Sequence, residues 1–351
     1  MGNKYTMFLF DIGMERKAAV VGLGPMGLTH AAITNAVGFA RVVAMADADE
    51  RLLEVGRKAL PTVKFFKDYT EMIHTVQPDC VYVCTPPLTH AKVVRGILDV
   101  GSPRAIFVEK PLATTMQDAV SLAKTMRGRN ILGMVGFQKR FNGVFKEVKE
   151  RVTQGEIGRV VLFRAHDFTP GAQGPVTGWR GEPAAGGVTM EWGIHLIDLL
   201  LWIFGKPESI EASRRRIFSE RVEDYVSVSM RFPGGISGFA ELGWNMRNYD
   251  PPDLEIEIHG TQGVIHVNED RLVFYHGDGA NQTTGGRTSP VVIHTSKLTQ
   301  PPPFLLGQPE NVWEEIHFQE GIGKGEVSEN TFEESVRVHE VIDRIREVPL
   351  L

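Results

Sequence analysis

Glu191, His195 and Asp198 stand in the run Met190-Glu191-Trp192-Gly193-Ile194-His195-Leu196-Ile197-Asp198, which is otherwise apolar or glycine. At the 100° per residue of a regular helix, the three fall within about 60° of one another. Burying ionisable groups in an apolar stripe is costly unless they are partnered. An imidazole placed this way can exchange a proton with a hydroxyl while a carboxylate orients its ring. The plainer alternative is a helix cap beside a core histidine satisfied by its neighbours. Metal ligation needs a second histidine at ligand spacing, and the nearest, His166, lies in another element, so no metal is expected.

The second chemical element is Glu109-Lys110-Pro111, directly after the apolar run Ile106 to Val108. An ammonium at the carboxyl end of a strand can hydrogen-bond a substrate oxygen and stabilise negative charge developing on it. Glu109 can pair with the lysine or accept from ribose hydroxyls. Pro111 lacks an N–H and sets the chain's exit from the strand. A surface Lys-Glu pair is the bland alternative, and the position after a strand argues against it.

What positions these residues begins at Ala18 to Val21, a short apolar strand that runs straight into Gly22-Leu23-Gly24-Pro25-Met26-Gly27. Helix-forming residues follow, Met26 to Val37. Strand, glycine turn and helix make the phosphate grip of a dinucleotide site. Gly22 permits the tight turn, Gly24 admits a pyrophosphate and Gly27 allows close helix–strand packing. The helix N-terminus adds free N–H groups and a positive dipole. Asp47 ends a second strand about 20 residues beyond Gly27, where a carboxylate takes the adenosine ribose hydroxyls and repels a 2′-phosphate. NAD is therefore expected, with NADP left open by Arg51, one helical turn further on.

Short apolar runs and helical segments alternate to about residue 135. Val63 to Phe66, Cys80 to Cys84, Ile106 to Val108 and Ile131 to Val135 read as strands. Asp49 to Leu60, Asp68 to Val76, His90 to Val100 and Thr115 to Arg127 read as helices. The expected fold class is α/β, with a doubly wound parallel sheet binding ligand beyond its strands' carboxyl ends. After a helix from Phe141 to Arg151, the pattern turns to period-two strands around one long apolar helix, Thr189 to Phe204. These predict a large, open, mostly antiparallel sheet. Thr169 to Gly187, which contains Gln173, and Gly277 to Pro303 read as loops. Two helices, Asn311 to Ile322 and Thr331 to Arg346, close the chain. The boundaries drawn are 1–13 as a ragged extension, 14–135 as the dinucleotide-binding domain and 136–351 as the substrate-binding and oligomerisation domain. The C-terminal helix is a candidate to pack back on the first domain.

A chain of 351 residues suits two domains, and its 42% hydrophobic and 23% charged residues are ordinary for a globular protein. The net charge of -5, with no basic cluster beyond Arg214-Arg215-Arg216, speaks against a nucleic-acid partner. No apolar run reaches the roughly 18 residues of a membrane span. Cys80 and Cys84, at i and i+4 on one strand, lie about 13 Å apart, too far for a disulfide. They read as core thiols in a reducing, cytoplasmic compartment. Met1-Gly2 with Thr6 formally matches a myristoylation pattern, but a ragged extension with a natural start at Met14 is the simpler account.

Together these motifs resemble the glucose-fructose oxidoreductase / inositol dehydrogenase / rhizopine-catabolism (Gfo/Idh/MocA) family of NAD(P)-dependent oxidoreductases. The resemblance rests on the glycine turn, Thr85-Pro86 with His90, Glu109-Lys110-Pro111, Gly136-Phe137-x-x-Arg140-Phe141, Trp179-Arg180 and Gly193-x-His195-x-x-Asp198. It implies an N-terminal Rossmann domain, a C-terminal α/β domain whose open sheet mediates homo-oligomers, and a substrate cleft between the two. It implies Lys110 as the catalytic lysine, His195 as the proton-transfer residue, and Thr85, Pro86, His90, Arg140, Trp179 and Arg180 at the cofactor. The family's usual aspartate four residues before the histidine is Glu191 here, a carboxylate one methylene further out. The implied activity is hydride transfer between nicotinamide and a secondary hydroxyl or ketone of a sugar, cyclitol or related polyol. Two further activities occur on this fold: glycoside cleavage with a tightly held NAD, and non-catalytic, sugar-responsive regulation.

Overall fold

The computed structural model describes residues 16–170, 178–184, 186–246, 249, 252–276, 291–294 and 307–351. The expected extension 1–13, Met14, Gln173 and most of the Gly277 to Pro303 stretch lie outside them. The chain forms two compact units. One comprises Met1–Gly136 with Pro302–Ser335, the other Phe137–Pro301 with Val336–Leu351.

The first unit holds six parallel strands: β1 (Arg16–Val21), β2 (Ala40–Ala46), β3 (Lys64–Phe66), β4 (Cys80–Val83), β5 (Ala105–Val108) and β6 (Leu132–Val135). Their order is β3-β2-β1-β4-β5-β6, so the direction of winding reverses between β1 and β4. β4 (Cys-Val-Tyr-Val) and β5 (Ala-Ile-Phe-Val) are fully buried, as strands covered on both faces must be. The intervening helices are α1 (Pro25–Val37), α2 (Glu50–Ala59), α3 (Tyr69–Val76), α4 (His90–Val100) and α5 (Met116–Gly128). Asp49, Asp68 and Thr115 cap α2, α3 and α5 by accepting from first-turn N–H groups. α1 has no side-chain cap and no acidic residue in its first turn. The helix Pro309–Lys324 returns from far down the chain to pack on α1. Its Phe318 ring lies 5.5 Å from the rings of both Tyr82 and Phe107.

The second unit is built on an eight-stranded sheet. Its strands are β7 (Val160–Phe168), β8 (Ser209–Arg215), β9 (Tyr225–Phe232), β10 (Ile236–Gly243), β11 (Asp253–Gly260), β12 (Gly263–Asn268), β13 (Arg271–His276) and β14 (Val291–His294). They run in the order β14-β13-β12-β11-β7-β10-β9-β8, antiparallel except between β7 and β10. Val226, Val228, Met230 and Phe232 alternate inward along β9, and Leu254, Ile256 and Ile258 do so along β11. Helices α6 (Gly143–Gln154) and α7 (Ile194–Phe204) pack on this sheet.

Two expectations need correction. The stretch read as a loop from Gly277 contains a strand, since Val291 to His294 pair with β13 at the sheet edge. The helix read as regular from Thr189 opens with a wider, π-helical turn, Thr189–Gly193, before α7 begins. The count of 100° per residue therefore fails between Glu191 and His195. At the junction, Gly193 lies so close to β10 that a Cβ would collide with Leu242.

Candidate active site

At the carboxyl edge of the first sheet, the ladder aligns four turns side by side. Gly22 N–H donates to Ala46 O at 2.8 Å, Cys84 N–H to Val21 O at 2.8 Å, Glu109 N–H to Val83 O at 2.9 Å and Gly136 N–H to Val108 O at 2.9 Å. Strands about 4.8 Å apart thus bring the glycine turn, Thr85-Pro86 and Glu109-Lys110 to one rim at the switch point.

The three glycines of the turn divide their labour. Gly22 has φ 101°, and a Cβ there would lie 2.6 Å from Cys84 O. A Cβ at Gly27 would strike the Gly22 carbonyl, whereas one at Gly24 would meet nothing within 4 Å. Gly22 and Gly27 therefore serve chain packing, and Gly24 serves approach by a ligand to an uncapped helix start. That cradle, with Met26 half-buried beside it, fits a dinucleotide's pyrophosphate. The Leu23 side chain, expected at the cofactor, is instead buried in the core, and its N–H is taken by Asp47.

Asp47 is half-buried and accepts Leu23 N–H at 2.7 Å on Oδ2 and Asp49 N–H at 2.8 Å on Oδ1. It is thereby tied to the glycine turn. Arg51 is engaged by Asp49 through Nε at 3.0 Å and Nη2 at 2.7 Å, and its side chain is 89% exposed. That pair holds the Asp49 carboxyl at about 2, mainly through the Arg51 hydrogen bond.

His90 calls for a correction. Its ring is fully buried, with Nδ1 2.7 Å from Pro111 O and Nε2 2.7 Å from Thr85 O. Each ring nitrogen faces a backbone carbonyl and the neutral ring donates its single N–H to one of them, so the buried side chain links the two turns and lies away from the open rim. Burial pushes its pKa below the ordinary histidine value. Lys110 is half-buried at the rim, and its peptide to Pro111 is cis. Cys84, expected in the core, is half-buried behind the glycine turn, and both cysteines are free thiols.

Glu109 has a partner that local reading missed. Its Oε1 is 2.8 Å from His30 Nε2, and its side chain is 12% exposed. Burial acts to raise the Glu109 carboxyl, but the bond and charge of His30, with Lys110 and His90 nearby, bring it below the usual carboxylate range. His30 lies on the inward face of α1 with Gly27 and Thr34. An ionisable residue on the buried face of a predicted helix was the available signal.

In the second unit, Arg140 donates from Nε to Asp198 Oδ2 at 2.8 Å and from Nη2 to Oδ1 at 2.6 Å. The two side chains are 3% and 1% exposed, so this is a buried bidentate ion pair. Spacing set Asp198 on the face of Glu191 and His195, and the family resemblance placed Arg140 at the cofactor. The structure pairs the two with each other, and their contact across 58 residues was not readable from spacing. His195 is 5% exposed at the start of α7. Glu191 accepts from Arg180 Nε, and the Arg180 guanidinium stacks 4.8 Å above the Trp179 ring. The wider turn at 189–193 carries Glu191 toward this pair. Among the described residues, no cluster of three or more metal-ligating side chains occurs.

Residues 16–137 match the family model described as an oxidoreductase family with an NAD-binding Rossmann fold. Residues 145–266 match the GFO/IDH/MocA C-terminal domain. The chain belongs to the Gfo/Idh/MocA family. Gfo/Idh/MocA relatives include a myo-inositol 2-dehydrogenase of Thermotoga maritima, 28% identical over 73% of this chain and 76% of its own. A scyllo-inositol 2-dehydrogenase (NAD(+)) of Bacillus subtilis is 26% identical over 72% and 73%. In fold, the chain is similar to levoglucosan dehydrogenase in complex with NADH and levoglucosan, with TM-score 0.82, 23% identity and coverage of 95% and 97%. The Gfo/Idh/MocA assignment makes this chain an NAD-binding oxidoreductase.

Proposed function

We propose that this oxidoreductase moves hydride between NAD and a secondary hydroxyl or ketone of a sugar, cyclitol or related polyol. The observation that carries the reading is the rim where Glu109-Lys110 stands beside an open glycine cradle. The inositol dehydrogenases among the relatives support the substrate class. In the oxidative direction His195 takes the hydroxyl proton and the Lys110 ammonium steadies the oxygen as charge develops. Bound nicotinamide supplies the hydride acceptor. Trp179 and Arg180 flank the cofactor in this reading, with Glu191 holding the guanidinium and Arg140 holding Asp198, which follows His195 by one turn on the same helix. Asp47 disfavours a 2′-phosphate, so NAD is preferred over NADP.

The partly exposed Phe239 and Tyr275 on the open sheet suit a homo-oligomer, and the free thiols suit a reducing, cytoplasmic setting. No described helix is long and apolar enough to cross a membrane.

The test is absorbance of reduced cofactor with NAD and NADP separately across a panel of sugars and inositols. Turnover of at least one polyol with NAD is expected. Lys110→Ala should lower kcat by ~10²–10³, the cost of losing one oxyanion partner, with NADH affinity retained. NADH binding without turnover across the panel would favour the regulator reading. Cleavage of a glycoside without added NAD would favour the hydrolytic one.

A further inference from the structure

Behind Glu109 lies a buried polar chain that the proposed reaction does not use. His30, with Nε2 on Glu109, presents Nδ1 to Glu315 Oε2 at 3.5 Å, an ion-pair distance. His30 and Glu315 are both fully buried. The other Glu315 oxygen, Oε1, is saturated by three donors: Tyr82 Oη, Thr34 Oγ1 at 3.1 Å and Gln319 Nε2 at 3.3 Å. Those donors fix the Glu315 carboxylate so that Oε2 faces the imidazole. The ring itself is held by Tyr82, stacked at 5.6 Å, and Phe107, tilted at 4.7 Å.

On the far side of Glu109, Gly136 leaves room for the second oxygen, since a Cβ there would lie 3.2 Å from Oε2. One oxygen is thus anchored and the other is given space at the rim beside Lys110. The charges agree with this arrangement. A buried imidazole between two carboxylates is stable as a cation, and a buried carboxylate needs that cation. Burial lowers the His30 pKa, but Glu109 and Glu315 outweigh it and raise the ring to about 10. Glu314, on the same helix as Glu315, is pushed well above the carboxylate range by burial and by the charge of Glu109.

We propose that His30 and Glu315 are positioning residues that orient the Glu109 carboxylate, leaving Oε2 to accept a ribose hydroxyl of the bound nucleotide. The helix Pro309–Lys324, some 200 residues downstream of Glu109, is then a working part of the cofactor site. This inference rests on the reading of Glu109 as a cofactor contact.

NADH titrations of the protein without substrate test it, across pH 5 to 9, for wild type, His30→Gln and Glu315→Gln. Wild-type affinity should be flat over this range. Without the imidazolium, the buried Glu109 carboxyl rises, so His30→Gln should gain an acidic limb in NADH affinity. Its binding at neutral pH should be roughly tenfold weaker, the effect of losing one charge-assisted hydrogen bond. Glu315→Gln keeps the shape and should give a smaller shift of the same sign. A packing role alone would lower Tm and leave the pH profile flat, which would overturn the proposal. Should both variants fail to fold, the wild-type histidine NMR spectrum still decides. A buried imidazole that stays protonated to about pH 9 is expected, and His30 titrating at or below its ordinary 6.5 would overturn the inference. Because NADH binding is read directly, a wild type that binds NADH but oxidises no polyol would sink the proposed reaction and leave this test standing.

Discussion

Gly24 and Gly27 belong to one motif, yet the same substitution should act on them in opposite ways. Alanine at Gly27 would drive a Cβ into the Gly22 carbonyl, and backbone has no flexible end to give way. Gly27→Ala should therefore lower Tm by several degrees, read by thermal unfolding without ligand. Alanine at Gly24 meets no atom within 4 Å, so Gly24→Ala should keep or slightly raise the apo Tm. Its NADH affinity should fall about tenfold or more, because the methyl occupies the pyrophosphate's approach. Equal loss of Tm in both variants would deny Gly24 its ligand role. At Asp47, replacement by Ser should cut the preference for NAD over NADP by at least about tenfold in kcat/KM, since a like charge facing a phosphate is removed. The glycines were readable because their neighbours lie on the same turn, and Asp47 because it ends the next strand at a fixed spacing beyond them. His30 was not, since its partners are 79 residues away at Glu109 and still further on at Glu315.

Elements with a long, consistent period were legible, and the misreadings fell where the period breaks. The strands of the first unit are apolar runs bounded by turns, and their helices start at Asp49, Asp68 and Thr115, residues whose side chains cap. β14 carries only Val291, Val292 and Ile293 among polar and proline-containing neighbours, and it becomes a strand by pairing with an existing edge. The turn at 189–193 widens although its composition suits an ordinary helix, and no local residue announces it.

The closing helix, Phe332–Glu347, carries its own pH dependence. His339 is 1% exposed, and burial, with Arg346 nearby, lowers its pKa to about 4. A folded pKa below the unfolded value of 6.5 contributes stability that is present above 6.5 and lost as pH falls through about 4. Tm should drop on acidification over that window, and His339→Phe should flatten the drop. An unchanged acid profile in a folded His339→Phe variant would assign the sensitivity elsewhere.

Each unit is made of two separated stretches of chain, so the polypeptide leaves the first unit at Gly136 and re-enters it at Pro302. The returning stretch brings Phe318 and Gln319, both fully buried, against Tyr82, Phe107 and Cys80. A chain ending at Gly136 would expose that apolar face and strip Tyr82 and His30 of Glu315. Such a fragment should be molten or aggregated, with little near-UV circular dichroism and no NADH binding. Adding residues 302–335 through a linker should restore both. A fragment 1–136 that unfolds cooperatively and binds NADH would refute this view of the first unit.

Reading residues in order was enough to find the glycine cradle, its acid, the lysine turn, the histidine helix and the division into a parallel and a mostly antiparallel sheet. Each of those signals spans a few turns of chain, where backbone geometry alone decides which side chains meet. The His30–Glu315 pair, the Arg140–Asp198 pair, the bracing of His90 and the fate of β14 depend on contacts between distant segments. Such pairings follow from how sheets and helices stack, and no local periodicity records them.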